Sequence, residues 1–326
     1  MSVTATRIRS GRASQLLLAF QSAKGTIVTN FSSAAKLWTD LAEIPVGPEK
    51  SAIEDDMHTS GPRTGARFSE IDVPAGQVLA IATPESVEYL LRSNFGAFAA
   101  GAFTLAEKIA ATQFLTIGWV ENTASGAAEK FCRVRDAWFG RLEILLDNLG
   151  RLVLRGEYGG TVLAEPLALN ALGGVTLPTA PMAPADVNPF TVRSATLVRD
   201  PAGLNVSIRI DKLRISLDQG MEHDSDDMAP GSFWIFKSGP LYADVDVEGV
   251  VSDESWAIIS DARAGTKRRF RVVASASSPA KTLTMDFYEM DFKVLPLGHE
   301  GRDYQRFRAI GRAHVTGSSF VSIAMA

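Results

Sequence analysis

Leu169-Asn-Ala-Leu-Gly-Gly-Val-Thr-Leu-Pro-Thr-Ala-Pro-Met-Ala-Pro-Ala-Asp-Val-Asn-Pro189 holds four prolines and a Gly-Gly pair. Proline removes backbone donors and fixes φ, and glycine loosens the chain, so neither a helix nor a strand runs through this stretch. It reads as a joint, and the sequence on its two sides looks alike. Before it come the apolar runs Phe114–Trp119, Lys130–Val134 and Arg141–Leu146, a turn at Asp147–Gly150, and Arg151–Tyr158. After it come Phe270–Ser275, Lys281–Phe287 and Phe292–Leu295, a turn at Gly298–Gly301, and Arg306–Gly311. Upstream, each side has an acidic loop, Ile53–Met57 or Met221–Met228, and then a short helix. In the first helix Thr83 is the cap, Pro84 suits the first turn, and Val87, Leu90 and Leu91 form the apolar stripe. In the second, Ser252 is the cap and Trp256, Ile258 and Ile259 are apolar. The pattern predicts an internal duplication with a repeat of roughly 150 residues.

The expected fold is therefore mainly β, with two similar sandwich-like or partly open barrel units, each carrying one short helix. The divisions are an N-terminal arm over 1–35, a first β domain over 36–168, the joint over 169–189 and a second β domain over 190–326. Val206, Ile208 and Ile210 share one phase of period two, while Leu213, Ile215 and Leu217 take the other. One bent strand with a bulge at Asp211-Lys212 accounts for the slip. Leu241, Ala243, Val245, Val247 and Val251 mark a core face opposite a carboxylate stripe of Asp244, Asp246 and Glu248. Phe307, Ala309, Ala313 and Val315 likewise oppose Arg306, Arg308 and Arg312. Such charged faces either serve solubility or pair across a subunit contact.

Composition narrows the function. At 326 residues with 46% hydrophobic and 21% charged residues, the chain is ordinary globular material. Its net charge of −4 and pI near 5.7, with no basic block, argue against phosphate-driven nucleic-acid binding. The single cysteine, Cys132, forms no intramolecular disulfide and suits a reducing compartment. Arg7, Arg9 and Arg12 precede Leu16–Phe20, but that apolar run is too short for a signal peptide, and no stretch reaches a membrane span. A soluble chain in the cytoplasm during its assembly is expected.

No GxxxxGK[ST], GxGxxG, GxSxG, HExxH or paired CxxC occurs. The adjacent carboxylates Asp55-Asp56 and Asp226-Asp227 point apart on an extended chain. Glu222-His-Asp-Ser-Asp-Asp227 lacks the glycine and distal glutamate of a calcium loop. His223, with these neighbours, is the sole candidate for a metal-dependent enzyme, and His58, His299 and His314 show no ligand spacing. No catalytic residue, metal or cofactor is expected, and the chain is read as a non-enzyme.

Together these features resemble a major tail tube protein of a long-tailed, non-contractile bacteriophage, a siphovirus. The resemblance is carried by the opening Leu16–Thr26, the Ile53–Gly65 loop running into Phe68, the helix Ser86–Phe95, and Val206–Leu217 leading into the second acidic loop. It implies β-sandwich tube domains whose inner strands join in a ring of six domains. Two domains per chain would then give a ring of three chains with pseudo-sixfold symmetry. Stacked rings would form a tail tube in the virion through which double-stranded DNA passes without specific binding. A tape-measure protein, a tail terminator and distal tail proteins are the implied partners. Asp55, Asp56, Glu222, Asp224, Asp226, Asp227, Asp244, Asp246 and Glu248 are the candidate lumen-facing or inter-ring acids. Arg7, Arg9, Arg12, Leu16, Leu17 and Leu18 are the candidate contacts of the arm. The alternative is a carbohydrate-binding or adhesin-like β module of a virion, which would need an aromatic-lined cleft.

Overall fold

The computed structural model describes residues 14–37, 39–42, 52–54, 67–69, 75–106, 108–122, 128–167, 175–178, 188–198, 206–224, 234–237, 240–252, 255–296, 305–314 and 320–326. The chain opens with β1 (Ser14–Phe20), β2 (Ala35–Leu37) and β3 (Thr39–Ala42), then a hairpin of β4 (Ala52–Glu54) and β5 (Arg67–Ser69). Next come β6 (Ala75–Ile81), helix α1 (Pro84–Asn94) and a hairpin of β7 (Gly96–Ala99) and β8 (Ala102–Leu105). β9 (Leu115–Asn122), β10 (Ala128–Leu146), β11 (Leu152–Gly159) and β12 (Val162–Leu167) complete this part.

The second part opens with β13 (Thr191–Val198), β14 (Val206–Ile208) and β15 (Ile210–Asp218), then a hairpin of β16 (Met221–Asp224) and β17 (Trp234–Lys237). It continues with β18 (Tyr242–Val250), helix α2 (Trp256–Ala264), β19 (Arg268–Ser277), β20 (Ala280–Pro296), β21 (Arg306–Arg312) and β22 (Val321–Met325).

All ladders between the named strands are antiparallel and fall mainly into three sheets; among the described residues, a single parallel bridge joins Asn30 to Thr176. The central sheet runs β3-β6-β11-β10-β15-β18-β21-β20. It does not close on itself: among the described residues β3 pairs only with β6, and the C-terminal part of β20 only with β21. One outer sheet runs β2-β1-β9-β10-β12. The other runs β14-β13-β19-β20-β22 and is extended by the β8-β7 hairpin.

Two long strands tie these layers together. β10 pairs in the outer sheet up to Ala137 and in the central sheet from Trp138 onward; β20 makes the same change between Met290 and Asp291. Each bends at a residue with left-handed backbone, Asp136 at φ 52° and Glu289 at φ 46°. The Asp136 carboxylate accepts from the Gly25 amide at 2.7 Å and from the Thr161 hydroxyl at 2.6 Å. Three residues beyond each bend, Phe139 or Phe292 lies flat on a glycine of the next strand. A Cβ on Gly156 would fall 2.6 Å from Phe139, and one on Gly311 would fall 2.7 Å from Phe292.

The alternating patterns explain the core. Leu142, Ile144, Val245 and Val247 of the central sheet meet Leu16, Ile117 and Val134 of one outer sheet and Phe270, Val272 and Met285 of the other. α1 buries Val87, Leu90 and Leu91 as its spacing predicts, and Thr83 and Ser86 cap one another reciprocally. Ser252 and Ser255 repeat that exchange ahead of α2, so Ser252 does act at the cap, although regular helix starts at Trp256. Trp256 is not part of the apolar set; it is 45% exposed, while Ile258 and Ile259 are buried.

The bulge expected at Asp211-Lys212 is present, since the β15–β18 register shifts between Ile210 and Lys212. There the chain leaves the outer sheet for the central one, with Arg209 as the corner. Its carbonyl oxygen would lie 2.3 Å from a Cβ at Gly249, so only glycine fits opposite the corner.

Three expectations need correction. The runs 130–134 with 141–146, and 281–287 with 292–295, are single bent strands, because a one-residue bend does not interrupt backbone pairing. The acidic loop from Met221 starts as strand β16, paired with β17. The arm proposed for 1–35 does not extend past residue 13. Leu16, Leu17 and Leu18 are 0% exposed in β1, held between β2 and β9, so they are core residues and not arm contacts. Leu17 packs on the reverse face with Phe31, Ala34, Val175 and Leu177, and the joint thereby docks on the N-terminal segment. Residues 1–13, with Arg7, Arg9 and Arg12, lie outside the described residues. The hairpin β7–β8 and the final strand β22 went unread in the sequence.

Truncating Leu16 to Ala separates core from arm. As a core residue it costs about 3 kcal/mol of unfolding free energy in a urea titration; an arm residue would leave the midpoint unchanged.

Candidate functional site: the charged face and open edges of the central sheet

One face of the central sheet is buried and the other is charged. Asp244, Asp246 and Glu248 do alternate with buried residues on β18, and Arg306, Arg308 and Arg312 do so on β21. The two stripes are neighbours. Asp244 lies opposite Arg312 and Glu248 opposite Arg308 in the ladder. On the other flank β15 sets Lys212 opposite Glu248 and Arg214 opposite Asp246. The acidic stripe thus lies between two basic ones, and its charges pair within the chain.

The pairing geometry is specific. Arg312 reaches Asp244 through both Nε, at 2.6 Å, and Nη2, at 2.8 Å. Arg308 forms the same forked contact with Asp246, its Nε at 2.9 Å from Oδ1. These bonds raise both guanidinium pKa values above their ordinary range, since each donates to a carboxylate. Lys212 meets Glu248 at 2.7 Å.

Where β10 meets β15, Glu143 is the centre of the lattice. Its side chain is 4% exposed and receives Arg141 from its own strand at 3.0 Å, Arg155 from β11 at 3.8 Å, and Arg214 from β15. Arg141 also reaches Glu157 of β11 at 3.6 Å. Glu143 therefore ties three strands together at the seam. Local pattern does not single Glu143 out: Arg141 and Arg155 lie near it along the chain, but Arg214 comes from a strand 71 residues away.

The other candidates scatter. Glu222 is exposed on β16, and Asp224 pairs in register with Trp234. Asp55, Asp56, Asp226 and Asp227 lie outside the described residues, as do His58 and His299. His223 sits on β16 and His314 is exposed, and no group of three metal-ligating side chains gathers among the described residues. No helix among them is long and apolar enough to cross a membrane.

The two open edges of the sheet differ in their surroundings. Beside the β20 edge, α2 and the start of β21 leave an open groove of about 440 Å³ lined by Trp256, Ile259, Arg263, Phe292, Lys293 and Arg306 among others. At the internal seam the corresponding ground is occupied. Gln219 donates through its side-chain amide to the Asn94 carbonyl at the end of α1 and through its backbone N–H to the Gly140 carbonyl, and Met221 covers Gly140 and packs on Trp138. The sequence matches no protein-family model and no curated protein.

Glu143→Gln leaves three guanidinium groups around a neutral side chain. Because those groups are about half solvated, the expected loss is about 1–2 kcal/mol, read as a lowered urea midpoint with unchanged slope.

Proposed function

We propose that this chain is an internally duplicated tube subunit that assembles into rings through the open edges of its central sheet, and that stacked rings form a phage tail tube for double-stranded DNA. The observation that carries the proposal is the seam. The order β3-β6-β11-β10 is followed across the central sheet by β15-β18-β21-β20, so the last strand of one set pairs with the first of the next.

Several details favour duplication as the origin of that order. The outer orders β2-β1-β9-β10-β12 and β14-β13-β19-β20-β22 correspond strand for strand. Register shifts fall between Thr39 and Leu41 and between Ile210 and Lys212, each flanking an aspartate, Asp40 or Asp211. The positive-φ acid, the Phe three residues on and its glycine partner recur, as do the reciprocal caps of α1 and α2.

A head-to-tail contact used once inside a chain leaves the same two surfaces free at its ends. Repeating it between chains makes a heterologous contact, which closes into a ring if the rotation allows. Pairing the edges also removes the unsatisfied backbone groups of an open sheet. The resemblance to tail tube proteins supplies the closure at six units, hence three chains. The barrel then has about 24 strands roughly 4.8 Å apart, or about 37 Å across before tilt widens it. Barrels of about 16–18 strands already enclose an aqueous channel.

The charged face of the central sheet would line that channel. A purely acidic lining is not what this face offers. Its guanidinium groups already hold carboxylates in forked contacts, so a passing phosphate gains little by replacing them, while the carboxylates repel it. A near-neutral lattice of satisfied charges suits passage without adhesion. Tape-measure, terminator and distal tail proteins belong to this proposal as partners at the lumen and ends. The glycan-binding alternative rests on Trp256 at the groove, the exposed aromatic of that surface.

Negative-stain electron microscopy with solution mass across a concentration series tests the proposal. Hollow rings or tubes built from three-chain rings are expected. A monomer at every concentration would contradict it.

A further inference from the structure

The groove beside α2 is open where its counterpart beside α1 is filled. Both are formed by a helix end and central-sheet residues just past the bend of a long strand: Asn94 with Trp138–Gly140 in one, and Arg263 with Phe292–Val294 in the other. In the first, the chain leaving β15 enters the ground through Gln219 and Met221 and continues into the β16–β17 hairpin. Lys237 of β17 also donates to the Ala106 carbonyl at 3.4 Å.

β3 is followed by a hairpin of the same kind, β4–β5, with Ala52–Glu54 paired to Arg67–Ser69. β3 forms one free edge of the central sheet and the groove adjoins the other.

We infer that the groove lined by Trp256, Ile259, Arg263, Phe292, Lys293 and Arg306 is the seat of a second copy of this chain, which places its β3 edge beside β20 and its β4–β5 hairpin over α2. This inference rests on the assembly proposed above and specifies its contact.

Continuity with the internal seam fixes the occupant, because the covered and uncovered grooves occupy equivalent places in the sheet. The chemistry agrees with an occupant bearing carboxylates. Arg263, Lys293 and Arg306 are exposed and bring three positive charges, and no acidic side chain lines the groove. β4 ends on Glu54. Trp256, 45% exposed with Arg263 6.0 Å from its ring, provides the large amphipathic surface that anchors interfaces.

The test compares wild type, Trp256→Phe and the double variant Trp256→Glu/Lys293→Glu by mass photometry and negative-stain microscopy, with thermal melting as the fold control. The wild type assembles and Trp256→Phe follows it. The double variant melts as the wild type does but needs at least about a tenfold higher concentration to assemble, the effect of losing one anchor.

A double variant that assembles at wild-type concentration overturns the seat while leaving the ring proposal standing. A wild type that never assembles overturns both. If the double variant fails to melt cooperatively, Arg306→Glu alone, at an exposed strand end, is read by the same assembly criterion, and wild-type assembly by that variant also overturns the seat.

Discussion

Backbone groups along the edge of a β-sheet must find partners, and in this chain that requirement governs the whole arrangement. The central sheet satisfies it internally across seven ladders and, among the described residues, leaves it open at β3 and at the end of β20. The interior ladder between β10 and β15 is where two sets of four strands with the same order meet. Its hydrogen bonds are reinforced by Glu143, whose carboxylate gathers arginines from β10, β11 and β15. A seam so constructed is a template for the contact that would cover the two edges. Long exposed edges invite association, and natural proteins either blunt them or use them.

The bent strands make this sheet possible. Because β10 and β20 each serve an outer and the central sheet, the layers are covalently continuous and their relative placement is fixed by a single residue, Asp136 or Glu289. Asp136 is also the anchor for the Gly25 amide, which couples the segment after β1 to the bend. Burial of Leu16 and Leu18 against Ile117 and Val134 then places the N-terminal strand within the fold.

Much of this was legible in the sequence and some was not. Period-two alternation gave β18 and β21 with the correct buried faces, and the phase slip at Asp211-Lys212 located a bulge. Thr83-Pro84 located the first helix start, while the second begins at Trp256 with Ser255 at its N-cap, three residues after Ser252. What failed has physical reasons. A bend through one positive-φ acid leaves no Gly or Pro signal, so the sequence pattern of β10 and of β20 resembles two strands each. The short, small-residue strands of the β7–β8 hairpin carry too little alternation to distinguish them from a loop. Above all, charge balance on a sheet face depends on which strands are neighbours. Asp244, Asp246 and Glu248 look acidic along the chain and are neutralised by Lys212, Arg308 and Arg312 only once the order β15-β18-β21 is known.

The central claim is that one seam is used twice, within the chain and between chains. Amide hydrogen exchange on the unassembled and assembled protein addresses it directly, since the same backbone is read in both states. The β15 amides Arg214–Asp218 should be protected in both. The edge-facing amides of Asp291–Leu295 in β20 should exchange fast before assembly and slow by at least about tenfold after it. Edge amides that exchange equally fast in the two states would contradict the account.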